Sequence, residues 1–198
     1  MDKNNLTPEE SFTIIDKAIA SFKMNYKESA KIFLLWGWIL ALACFSHFII
    51  LKILQSKEAH ELMGPFSLGN WVVFSLIGFI FLFFIERKTN KDKKVYSYLE
   101  SYIKKLWIVT AASFFIATLV CIKLEIAPPP IMLLIAGIAT TTSGLLIKFK
   151  PLTIGGMTFF IFSIVTTFVT NENLLLVTGA AIICGYLIPG YLLKSAKE

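Results

Sequence analysis

Six apolar runs dominate this chain, at positions 32–51, 67–85, 106–122, 131–147, 154–170 and 174–193. A helix needs ~20 apolar residues to cross the ~30 Å hydrocarbon core, with ~17 as the lower limit. Inside that core every backbone N–H and C=O must be satisfied within its own segment, so runs of this kind become helices. The expectation is an all-α, polytopic integral membrane bundle of six transmembrane helices over 31–194. An N-terminal amphipathic cytoplasmic helix over 1–30 precedes it, and a short tail, 195–198, follows. The fourth and fifth runs are short and should stand nearly upright. Composition agrees: 56% of residues are hydrophobic and 16% charged, whereas soluble domains average ~25% charged.

Orientation follows from where the charges fall between the runs. Sixteen lysines and arginines lie on one side, in the N-terminal arm, the 86–105 connection, the Lys148–Lys150 turn and the C-terminal tail. Only Lys52, Lys57 and Lys123 lie on the other. The positive-inside rule places the richer side in the cytoplasm, so both termini are expected inside, as an even number of spans requires. The N-terminus carries no signal-peptide pattern, and the first span is expected to serve as an uncleaved signal. The formal charge of +6 then reflects attraction to anionic lipid, and direct nucleic-acid binding is not implied.

The N-terminal segment opens with a strong helix start. Thr7 can cap, Pro8 suits the first helical position, and Glu10 stands where a capping box places its acid. Phe12, Ile15, Ile19, Phe22 and Tyr26 then recur at helical spacing and share one face. Such a stripe must lie on the membrane, pack on the bundle or bind a partner. It is the candidate partner face for a cytosolic protein. A second segment, 90–105, carries Val95, Tyr98, Leu99 and Tyr102 at similar spacing and is expected to extend the third span.

Chemistry inside the membrane has few candidates. Intramembrane ionisable residues mark function, and the spans hold none except His47. His47 either senses pH or sits neutral, bonded to a neighbouring helix. Cys44, Cys121 and Cys184 fall in apolar runs and are expected to be inert thiols. No catalytic, cofactor or metal site is expected: the chain has no His-Glu-x-x-His pair, no Gly-x-Ser-x-Gly elbow and no phosphate-binding glycine loop. Nothing in it selects an oligomeric state.

Hydroxyl residues are the remaining polar signal. Thr140, Thr141, Thr142 and Ser143 sit in a row in span four, and Thr158, Ser163, Thr166 and Thr167 recur in span five. Two readings stand. In one, the hydroxyls bond carbonyls four residues back, and Ala136, Gly137, Thr140, Thr141 and Gly144 let helices approach closely. Lys148 to Pro151 then make a short basic turn into a tight hairpin with Gly155 and Gly156. In the other, Thr140, Thr141, Ser143 and Thr166 form a candidate polar lining for a neutral solute. In span six, Pro189 removes a backbone hydrogen bond to Gly185; with Gly190 the three residues form a candidate hinge.

Four motifs carry a resemblance. Thr7-Pro8-Glu9-Glu10-Ser11, Leu34-Leu35-Trp36-Gly37-Trp38, Lys148-Phe149-Lys150-Pro151-Leu152 with Gly155-Gly156, and Ile188-Pro189-Gly190-Tyr191 resemble a family of small bacterial six-span membrane proteins. The resemblance covers essentially the whole chain. It implies a location in the bacterial inner membrane, carries no established activity and transfers no functional residues. Members of that family accompany small winged-helix transcription regulators, which implies a regulatory partner. The reading is a non-catalytic regulatory or accessory membrane partner of a cytosolic protein. A small transporter or channel for a neutral solute is the alternative.

Overall fold

The computed structural model describes residues 8–92 and 98–195, with side chains described over 30–87 and 101–195. Every described element is helical: α1 (Pro8–Ser56), α2 (His60–Asp92), α3 (Tyr98–Leu124), α4 (Pro129–Leu146), α5 (Lys150–Thr167) and α6 (Asn173–Ile182). A five-residue π turn (Ile183–Leu187) joins α6 to α7 (Ile188–Ser195). Six stretches are long and apolar enough to cross a membrane, the last formed by α6, the π turn and α7 together. The protein is an all-α, multi-pass membrane bundle.

Several helices begin or end away from the apolar limits. α1 runs unbroken from Pro8, although its apolar span starts only at Ala30. α2 starts at His60 and holds Pro65 inside its second turn. α5 begins at Lys150, so Pro151 occupies the first helical turn rather than the preceding connection. There the missing N–H would have had no intrahelical partner. α4 uses the same device with Pro129 and Pro130.

The turns share one piece of chemistry. Glu58, Glu125 and Lys148 adopt left-handed backbone conformations, with φ of 56°, 54° and 54°. Each follows a helix end at which an N–H reaches five residues back: Ala59 to Leu54, Ile126 to Cys121 and Phe149 to Gly144. These are Schellman caps, normally completed by glycine. Here charged residues fill the left-handed position, so the sequence carries no glycine to announce them.

Four elements make the centre: α1, α4, α5 and the α6–α7 span. The buried cluster includes Phe33, Cys44, Leu133, Leu152, Phe159, Ile182, Tyr186 and Leu193, drawn from all four. α4 and α5 form the most extensive pairing, while α1 packs on α6, the π turn and α7. α2 lies outside α1, and α3 outside α4. Within its apolar span α2 is only 11% buried, against 50% for the α6–α7 span. Its phenylalanines and leucines therefore face lipid, as Phe79, Phe81, Phe83 and Phe84 do. In a bilayer such exposure is the solvated state of the surface.

Candidate functional site

The hydroxyl row lies where α4 meets α5 and the π turn. Thr140 is fully buried, and Ser143 and Thr166 nearly so. Ser143 Oγ donates to the Ala139 carbonyl at 2.8 Å and Thr166 Oγ1 to Ser163 at 2.8 Å. Thr158 and Thr167 likewise bond carbonyls of their own helix. Ser163 differs: its hydroxyl donates across to the Pro130 carbonyl at 2.7 Å. It ties α5 to the proline-capped start of α4.

Thr140 and Thr141 do not follow the back-bonding pattern. Their buried hydroxyl oxygens have no hydrogen-bond partner. The Tyr186 phenol reaches the neighbourhood of the Thr140 hydroxyl without closing a bond of normal geometry on it. No open path separates the helices at this level. A Cβ on Gly137 would lie 2.9 Å from the Phe160 ring and 3.2 Å from the Gly156 carbonyl oxygen. A Cβ on Gly144 would lie 2.9 Å from the Leu152 carbonyl carbon. α4 and α5 touch backbone to backbone, the small-residue packing that substitutes for a hydrophobic driving force in lipid.

The residues of the proposed hinge are built into the core. Gly185 belongs to the π turn, and a Cβ there would collide with the Phe159 ring. Phe159 is fully buried and packs edge-on against Tyr186, with centroids 4.8 Å apart. Tyr186 in turn meets Phe33 of α1 and Trp107 of α3, at 6.0 and 6.4 Å. One aromatic cluster thus joins four elements, and Gly185 admits its central ring. Ile188 N–H bonds the Ile183 carbonyl five residues back. This wider turn makes room for the Pro189 ring against the preceding turn, the usual origin of a proline irregularity. Pro189 is buried, with its Cγ 2.7 Å from where a Gly155 Cβ would be, and Gly190 seats Leu34.

A second polar group links α1 to α2 near the other end. Trp71 Nε1–H donates to His47 Nδ1 at 3.2 Å, and His47 Nε2 meets Ser67 Oγ at 2.6 Å. Ser67 Oγ donates to the Met63 carbonyl at 2.6 Å. The indole only donates, so Nδ1 must accept and Nε2 must carry the proton. The ring is a neutral tautomer with both nitrogens engaged, bonded to the neighbouring helix. Asn70 adds a link between α1 and α2 that charge alone does not announce. Its side-chain oxygen accepts from Ser46 at 2.7 Å and its amide donates to the Ala43 carbonyl at 3.0 Å. A lone asparagine in an apolar run was the available signal, since such residues bond across membrane helices.

Lys52, at the end of α1, pairs with Glu172, which precedes α6. The hydrogen bond from Lys52 holds the Glu172 carboxyl below its usual range. Cys44 and Cys121 are buried and Cys184 half-buried, all as free thiols. Among the described residues no cluster of histidine, cysteine or acidic side chains could hold a metal ion. Phe12, Ile15, Ile19, Phe22 and Tyr26 lie outside the residues whose side chains are described, although the helix that carries them is present. Comparison with protein-family models, curated proteins and solved structures finds no match to this chain.

Proposed function

We propose that this protein is a non-catalytic regulatory or accessory membrane protein that holds a cytosolic partner through its N-terminal helix. The observation that carries the reading is the length of α1. The helix starts at Pro8 while its apolar span begins at Ala30, which leaves roughly 33 Å of helix beyond the bilayer core at ~1.5 Å per residue. A helix with one apolar face needs a surface to cover that face. The sixteen-to-three charge asymmetry supports a cytoplasmic position for this extension. The family resemblance favours a transcription regulator as the partner.

The buried hydroxyls support the same reading from the other side. Ser143 and Thr166 bond their own helices, and α4 meets α5 through backbone. One observation favours a neutral-solute path instead: the unpaired Thr140 and Thr141 hydroxyls. Affinity capture from native membranes, comparing the wild-type chain with the Ile15→Asp/Ile19→Asp variant, tests the leading reading. Loss of one specific soluble protein, with insertion intact, supports it. An unchanged captured set returns the helix to a structural role. Flux into proteoliposomes tests the alternative, which requires that some neutral solute be moved.

A further inference from the structure

A groove of about 400 Å³ opens along the outside of the bundle between α1, α2 and α7. Leu34, Leu35, Ile39 and Leu42 of α1 face Phe81 and Ile85 of α2 across it. Lys31 and Lys194 stand at one end, and among the described residues no acidic side chain lines the groove. Glu86, the next residue along α2, is drawn to Lys104 at 3.5 Å. Trp38 forms part of the wall, and its Nε1–H donates to the Tyr191 hydroxyl at 3.0 Å, which fixes the indole against α7.

We propose that this groove binds one anionic phospholipid, with Lys31 and Lys194 on the phosphate and the apolar wall along an acyl chain. Three features select that occupant. First, the two cations Lys31 and Lys194 at the mouth complement a headgroup with net negative charge, the arrangement by which basic clefts between membrane helices take anionic lipid. Second, the apolar part runs from Lys31 to Leu42, ~16 Å of helix at ~1.5 Å per residue. That is close to half of the ~30 Å hydrocarbon core, so the groove has the depth of one leaflet. Third, a free phosphate would use the lysines and leave the leucine and phenylalanine wall without a role. The proposal rests on the membrane fold and is independent of any partner on the N-terminal helix. Bound there, the lipid cements α2 to α1 and α7, where α2 otherwise has little protein around it.

The test is lipid retention by the full chain in detergent, read by native mass spectrometry, with phosphatidylglycerol and phosphatidylcholine of identical chains. The wild-type protein should retain phosphatidylglycerol preferentially. Each lysine near a membrane surface contributes enough for ~5-fold in affinity, so Lys31→Gln/Lys194→Gln should lose ~30-fold. Lys31→Arg/Lys194→Arg should keep the preference. Lys148→Gln/Lys150→Gln, which removes the same charge from another turn, should keep it too. Equal loss in the Lys148/Lys150 variant, or no loss in the Lys31/Lys194 variant, overturns the site. Displacement of the lipid by glycerol phosphate at equal concentration overturns the lipid as its occupant. Thermal unfolding of each variant confirms that the exposed lysines were changed without loss of fold.

Discussion

Gly156 of α5 rests directly on Thr141 of α4, so closely that a Cβ on the glycine would lie 2.7 Å from the threonine Cα. Neither backbone can yield without separating the two helices, which form the most extensive pairing in the bundle. The hairpin is therefore held by the absence of side chains along its seam.

Adding one methyl there should be costly. Gly156→Ala should destabilise the protein by about 1–3 kcal/mol, the usual cost of overpacking. Gly69 makes the contrast, because a Cβ there meets nothing within 4 Å. Gly69→Ala should leave stability unchanged or raise it by up to ~1 kcal/mol, the helix-propensity difference. Reversible unfolding in mixed detergent micelles measures both. Equal effects at the two positions would contradict the close seam.

Thr140 and Thr141 carry buried hydroxyls without partners. Valine has nearly the same shape and removes the unsatisfied group, a change that is neutral or stabilising when no bond is lost. Thr140→Val and Thr141→Val should therefore cost nothing measurable. Ser143→Ala breaks a formed bond and should cost about 0.6 kcal/mol, the average for membrane hydrogen bonds. A solute path through α4 and α5 predicts a different pattern, with the valine variants folding normally but losing flux.

The Lys52–Glu172 pair links the end of α1 to the start of α6. The hydrogen bond from Lys52 lowers the Glu172 carboxyl below its ordinary value of 4.5. A lowered carboxyl contributes above its unperturbed value and loses that contribution as pH falls through the lowered one. Amide exchange at residues 171–174, corrected for intrinsic rates, should thus be flat above pH 4.5 and accelerate below it. Glu172→Gln should abolish the acid response, and an unchanged response would show that other groups control this turn.

Topology is the fourth expectation. In a background without the three native cysteines, single cysteines at Lys57 and Lys123 should react with an impermeant thiol reagent from outside intact cells. A cysteine at Lys150 should react only after the membrane is opened. The reverse pattern would overturn the charge argument.

The fold was legible because lipid leaves few options. Apolar runs of membrane length must be helices, so six spans could be read from hydropathy alone. The ends were harder. Lys150 and Pro151 read as a turn but start α5, because proline is equally at home in a first helical turn. The left-handed caps at Glu58, Glu125 and Lys148 could not be read at all, since their cause is the hydrogen-bond closure around them rather than glycine. The hydroxyl row announced polarity, but not which hydroxyls would find carbonyls: Ser143 does, whereas Thr140 and Thr141 are buried without a partner. The groove between Lys31 and Lys194 joins residues from opposite ends of the chain, and no local pattern brings them together.

The direct test of the functional account is photo-cross-linking along the N-terminal helix in native membranes. A photoreactive residue would be placed in turn at positions 12, 15, 17, 19, 21 and 22. Phe12, Ile15, Ile19 and Phe22 share one face by helical spacing, while Lys17 and Ser21 fall on the opposite one. Positions 12, 15, 19 and 22 should capture the same soluble protein, and positions 17 and 21 should not. Adducts only to lipid or to the protein's own spans, or capture without helical periodicity, would contradict it.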